Sequence, residues 1–121
     1  MDNSIIVTHL NNLQRQFGEI KAISLYYVDG VLIASTFPDS SPIDEIGAVS
    51  SAFGAISRRA GKLFEVGNIG YTQLFTDNGV IIIADINNEA IAVIQADAKL
   101  NANALRPELR RAALAILNQL D

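Results

Sequence analysis

Residues 44–64 read DEIGAVSSAFGAISRRAGKLF, and this stretch decides the fold. Ile46, Val49, Phe53, Ile56, Ala60 and Leu63 recur at spacings of three and four, the rhythm of an amphipathic helix. A second set keeps the same rhythm with small residues only: Gly47, Ser50, Gly54, Ser57 and Gly61. At 3.6 residues per turn the two seams lie about 100° apart. Glycine inside a helix costs about 0.5–1 kcal/mol relative to alanine, so three in register imply a packing reason. The apolar seam is expected to cover a sheet. The small seam is expected to admit another helix backbone at close range. No other helix of the chain belongs on that side, so a second copy of the same helix is the expected neighbour.

The flanks of this helix are legible too. Pro42 suits a helix start, where its missing N–H does little harm. Asp44 and Glu45 complement the positive end of the helix, and Arg58, Arg59 and Lys62 its negative end. Before it, residues 37–42 form a loop punctuated by two prolines and two serines. Upstream of the loop, a strand over 20–28 and a return strand over 31–36 flank Asp29-Gly30, a signal for a two-residue hairpin turn. Ile6, Leu10, Leu13 and Phe17 mark a first helix, with Asn3 or Ser4 as its cap and Gly18 at its end.

Downstream, a strand over 69–76 is mixed in character, with Tyr71 and Phe75 beside Thr72 and Gln73. That composition suits a sheet edge or an interface. After the turn Asp77-Asn78-Gly79, residues 80–84 are apolar at every position, as a strand covered on both faces would be. Asn87-Asn88 turns into a similar strand over 90–96. A last helix over 103–120 carries Leu105, Leu109, Ala113, Ile116 and Leu120 on one face, and Pro107 leaves its exact start open.

The order is α-β-β-α-β-β-β-α. Short turns make the strand pairs antiparallel. The expected fold class is α+β, sandwich-like: a five-stranded antiparallel sheet with helices on both faces, as one domain over residues 1–121. The terminal helices share one face. The middle helix is alone on the other, and the vacancy beside it is a physical argument for a homodimer.

Composition agrees. Half of the 121 residues are hydrophobic, and the mean hydropathy is +0.25. That is rich for a monomer and suits a dimer that buries further surface. A net charge of −4 makes nucleic acid and anionic membrane poor partners. No apolar run approaches the ~18 residues of a membrane-spanning helix. Met1-Asp2-Asn3-Ser4 has no basic region before an apolar core, so no secretory signal is expected. With no cysteine, disulfides and thiolate metal sites are excluded, and a cytoplasmic location fits.

Catalytic patterns are missing. The single histidine, His9, sits beside the apolar stripe of the first helix and cannot make the usual zinc site alone. Gly61-Lys62 lacks the earlier glycine and the following Ser/Thr of a phosphate loop. Ser50 has no G-x-S-x-G flanks, and no dinucleotide fingerprint follows any strand. Asp29 and Asp77 read as turn residues, and Asp85 and Asp97 fall at opposite ends of a hairpin. No enzyme, metal or cofactor is expected. Two basic clusters remain: Arg58, Arg59 and Lys62, and Arg106, Arg110 and Arg111, the latter with Glu108 as a local counter-charge. Arginines of this kind can engage a partner's carboxylates or phosphates.

The chain resembles the Roadblock family, named for a dynein light chain, with a longin-like fold. The resemblance is carried by the run 23–28 followed by Asp29-Gly30 and Val31-Leu32-Ile33-Ala34-Ser35, and by the small-rich middle helix. It continues in the apolar strand after Gly79 and in Asp97 followed by Leu100, Asn101 and Leu105-Arg106. It covers nearly the whole chain. It implies a homodimer built by pairing the middle helix and third strand across a two-fold axis. Gly47, Ser50, Gly54, Ser57, Gly61, Tyr71 and Gln73 would then be at the interface. It further implies a non-catalytic partner of Ras-like small GTPases, of the prokaryotic regulator type, acting by GTPase activation or as an adaptor. By that analogy Ser51, Ala55, Arg58, Arg59 and Lys62 would bind the GTPase. The competing expectation is a small-molecule sensor of profilin or PAS kind, with Tyr26, Tyr27 and Tyr71 as pocket lining. A hydrolase using Asp85 or Asp97 is the third.

Overall fold

The computed structural model describes residues 3–120, with side chains from residue 4, so the cap expected of Asn3 lies outside the described side chains. The elements are α1 (Asn3–Gln16), β1 (Ile20–Tyr27), β2 (Leu32–Ser35), α2 (Ile43–Leu63), β3 (Tyr71–Thr76), β4 (Gly79–Ile86), β5 (Ala90–Ala96) and α3 (Ala102–Gln119). The five strands form one sheet in the order β2-β1-β5-β4-β3. Every neighbouring pair is antiparallel. The expected α+β architecture is therefore the observed one.

Period-two alternation divides the central strands between two cores. Ile23, Leu25, Ile82 and Ile94 point to one face, where Leu10 and Leu13 of α1 and Leu105, Leu109 and Ile116 of α3 cover them. Tyr26, Ile83, Ile91 and Val93 point to the other, beneath Ile46 and Phe53 of α2. This is why residues 80–84 of β4 and 90–94 of β5 are apolar at every position. The mixed strand β3 is an edge, as its composition predicts.

Three local readings change. The β1–β2 connection is a three-residue loop, not a two-residue one. Tyr27 N–H donates to the Val31 carbonyl at 2.8 Å and Gly30 N–H to the Tyr27 carbonyl at 2.9 Å. Gly30 takes φ +91°, the left-handed residue that such a loop needs. The third strand begins at Tyr71 rather than 69. Pro107 lies inside α3, whose start is set by Asn101: its side chain accepts from Ala104 N–H at 3.1 Å. The bond Pro107 forgoes, to the Asn103 carbonyl, falls on an exposed stretch that water reaches.

The end of α2 is a Schellman motif. Val66 N–H reaches the Gly61 carbonyl at 3.1 Å and Glu65 N–H the Lys62 carbonyl at 3.2 Å. The left-handed position, usually glycine, is Glu65 at φ 56°. A non-glycine residue there costs about 1–2 kcal/mol, and glycine returns part of that in unfolded-chain entropy. Glu65→Gly is expected to stabilise the fold by about 0.5–1 kcal/mol, read from its urea midpoint; a lower midpoint would contradict this account of the cap.

Candidate interaction surface

The small seam of α2 faces the sheet. Gly47, Ser50, Gly54 and Gly61 are its buried residues. A methyl group at Gly47 would lie 2.5 Å from the Gly30 carbonyl oxygen and 2.6 Å from the Tyr26 ring. At Gly54 it would meet Ile91 Cδ1 at 3.2 Å, and at Gly61 it would overlap the Gly67 carbonyl oxygen. Ser57 Oγ lies 3.3 Å from Thr72 Oγ1 of β3. The seam expected to receive a second helix is thus placed within the protomer: Gly47, Ser50, Gly54 and Gly61 are buried against the sheet and its neighbouring loops, and the half-buried Ser57 approaches β3. The two seams exist as read, but the small one lies directly against the sheet, with Ile46 and Phe53 of the apolar one packed beside it.

The helix α2 therefore has three faces. At about 100° per residue, Ile46, Val49, Phe53, Ile56, Ala60 and Leu63 fall on one flank of the buried seam. Ser51, Ala55, Arg58, Arg59 and Lys62 fall on the opposite flank. Ile46 and Phe53 reach down to the sheet and are half-buried, whereas Val49 is 57% and Ile56 64% exposed. The outer part of the apolar stripe is therefore surface rather than core. Its periodicity was plain, but periodicity does not say which stripe the sheet takes.

Beside the apolar flank the sheet is uncovered. A groove of about 470 Å³ is lined by Ile46, Val49 and Phe53 of α2 and by Leu74, Ile81 and Val93 of the strands, among others. Leu74 and Thr76 of the edge strand β3 border it, while Tyr71, half-buried, and the exposed Gln73 and Phe75 alternate to the other face of the same strand. The groove and the apolar flank of α2 thus adjoin β3, whose outer backbone edge is unpaired.

The polar flank differs. Ser51 Oγ donates to the Val28 carbonyl at 2.7 Å, tying α2 to the β1–β2 loop. The Arg58 guanidinium lies back over Gly54, 3.4 Å from where a methyl group would stand. Ala55, Arg59 and Lys62 are exposed. Among the described residues the one ion pair is Arg111–Glu108 at 2.7 Å, so the three cations of α2 have no acidic partner. In the second basic cluster, Glu108 serves Arg111, Arg110 donates to Asn87 Oδ1 at 2.6 Å, and Arg106 stands 4.9 Å from the centre of the Tyr71 ring.

The tyrosines do not converge on a ligand pocket. Tyr26 is buried under α2, and its hydroxyl donates to the Ile43 carbonyl at 2.7 Å. Tyr71 packs against the opposite core, and Tyr27 is exposed. The acids serve turns: Asp85 accepts from Asn88 N–H and Asp97 from Lys99 N–H, at opposite ends of the β4–β5 hairpin. Among the described residues no group of three or more His, Cys, Asp or Glu could hold a metal ion. Among the same residues no helix is long and apolar enough to cross a membrane.

Burial raises the Tyr26 hydroxyl above its ordinary 10.0, with the Ser24 hydrogen bond opposing and Asp44 adding to the rise. Burial likewise raises Tyr71, against the pull of Arg106. The unfolded chain thus loses these protons first. Their contribution to stability is complete below about pH 10 and is lost as pH rises through the folded-state values. Urea midpoints should hold steady below that pH and fall above it, and Tyr26→Phe should flatten the fall. Gly54→Leu should lower stability by about 1–3 kcal/mol by forcing α2 off Ile91, an effect independent of protein concentration.

Comparison with known proteins follows this geometry. The Roadblock/LC7 domain model matches residues 6–96. The uncharacterized protein MJ0310 of Methanocaldococcus jannaschii is 35% identical over 95 residues, 78% of this chain and 82% of that protein. The solved Roadblock/LC7 domain from Streptomyces avermitilis superposes with a TM-score of 0.81 at 17% identity, covering 91% of this chain and 92% of that one. Myxococcus xanthus MglB gives 0.82 at 13% identity, over 99% and 97%. At such identities the solved structures share the fold alone. The small-seamed helix seated on a five-stranded antiparallel sheet, together with these matches, shows that the chain belongs to the Roadblock/LC7 domain family.

Proposed function

We propose that residues 1–121 act as one non-catalytic homodimeric module that regulates or scaffolds a Ras-like small GTPase in the cytoplasm. The observation that carries the dimer is the apolar region formed by the exposed flank of α2, the 470 Å³ groove and the open edge of β3. A two-fold axis beside β3 would bring the α2 helices of two copies side by side over this region. Val49 and Ile56 of each would then leave water, worth roughly 25 cal/mol per Å² of apolar surface buried. The interface so formed uses the apolar flank together with Tyr71 and Gln73, not the glycine seam.

The same axis leaves the opposite flank of each α2 open. There Arg59 and Lys62, with Ala55 and the outer edge of Ser51 and Arg58, offer unpaired positive charge in an acidic chain. This is the surface assigned to the GTPase. Whether binding accelerates hydrolysis by aligning the partner's own groups or positions it as an adaptor is a question for kinetics.

Two measurements test the reading. Light scattering should give a dimer for the native chain and a folded monomer for Ile56→Asp; an unchanged dimer would remove α2 from the interface. The immobilised chain should retain a Ras-like GTPase from source-cell lysate loaded with GDP or a non-hydrolysable GTP analogue. Nucleotide-dependent retention, lost in Arg59→Glu, supports regulation, and nucleotide-independent retention supports scaffolding. Absence of any GTPase would favour the alternative, a ligand sensor, for which the groove has a suitable volume. In that case a metabolite panel should raise the melting temperature.

A further inference from the structure

We propose that two copies join along β3 in a register centred on Gln73, with Arg106 of each copy paired to Asp77 of the other. This rests on the homodimer reading above and goes beyond it in fixing the alignment.

The alignment follows from the hydrogen-bond alternation of an antiparallel ladder. Asp85 N–H donates to the Gly70 carbonyl at 2.9 Å, one step before the Tyr71–Ala84 pair. Bonded positions then recur at every second residue, so Thr72, Leu74 and Thr76 spend their backbone groups on β4. The tight turn closing on the Thr76–Gly79 pair agrees with that phase. Tyr71, Gln73 and Phe75 consequently direct their N–H and C=O groups to the free edge.

A two-fold related strand can satisfy these groups only by setting odd-numbered residues against odd-numbered ones. Three registers do so, centred on Thr72, Gln73 or Leu74. Centring on Thr72 leaves Phe75 without a strand partner, and centring on Leu74 leaves Tyr71 without one. Only the Gln73 register pairs all three. It also sets Phe75, which is 73% exposed, directly opposite Tyr71 of the other copy on the same sheet face, an aromatic cross-strand pair.

Charge supports the same register. Counting on from Phe75, Asp77 of the second copy arrives beside residue 69, on the face where Arg106 overlies Tyr71. Arg106 and Asp77 are both exposed, and neither has an ion-pair partner among the described residues. Two-fold symmetry makes the contact twice.

The chain has no cysteine, so introduced thiols report alone. Thr72→Cys and Leu74→Cys variants, mixed and mildly oxidised, should give mainly the mixed disulfide, because residue 72 faces residue 74 at a non-hydrogen-bonded pair with Cα atoms about 4.5 Å apart. Predominant Thr72→Cys or Leu74→Cys self-disulfides would overturn this register while leaving the homodimer intact. A native dimer that gives no disulfide would overturn strand pairing itself, and a native monomer would overturn both readings. Arg106→Asp and Asp77→Arg should each raise the dimer dissociation constant about three- to tenfold, and the double charge reversal should restore it. A double variant no tighter than the single ones would refute the ion pair.

Discussion

The close seating of α2 on the sheet is the constraint on which the rest depends. Contact runs from Gly47 to Gly61, about 21 Å of helix at 1.5 Å per residue. Along that line the helix meets the Tyr26 ring, Ile91 and the backbone of Gly30 and Gly67. Any side chain beyond a hydroxymethyl would lift it. Because the helix sits low, Ile46 and Phe53 on its flank can reach the sheet and close the second core. The conformational cost of three helical glycines is offset by that contact.

A low-seated helix with small residues beneath it has large residues left over at its sides. On one side they are aliphatic and look onto bare sheet. On the other they are cationic and look onto solvent. The sheet is asymmetric in the same sense, since two helices, α1 and α3, pack on one face while α2 alone packs on the other. The groove beside α2 crosses β5 and β4 to β3, an edge strand that carries no lysine or proline to discourage pairing. Three properties that elsewhere mark separate sites thus coincide: an apolar helix flank, an apolar groove and an open ladder.

The chemistry of the remaining polar groups is architectural. Tyr26 ties the start of α2 to β1, Ser51 ties its first half to the β1–β2 loop, and Ser57 approaches Thr72. Asp85 and Asp97 shape turns, and Asn101 caps α3. Tyr71 is the exception. Its hydroxyl is buried without a hydrogen-bond partner among the described residues, and Arg106 overlies its ring.

Element order, sheet edge and turn positions were legible in the sequence because they depend on local pattern. The 3.6-residue rhythm of 44–64, the doubly apolar runs of β4 and β5 and the mixed composition of β3 each state what kind of surface the residue needs. So did the partition of helices between the two faces. The direction in which α2 faces was not legible. Two stripes about 100° apart on one helix are equivalent in the chain itself, and hydrophobicity alone favours burying the larger one. Tertiary structure decided otherwise, because the sheet beneath α2 is not flat. The Tyr26 ring, the Ile91 side chain and two backbone carbonyls stand up along the contact line, and only hydrogen atoms and hydroxymethyl groups fit against them. The sequence by itself thus determined that the helix has two packing surfaces. The shape of its neighbours determined which one is spent inside the protomer and which one is left largely exposed.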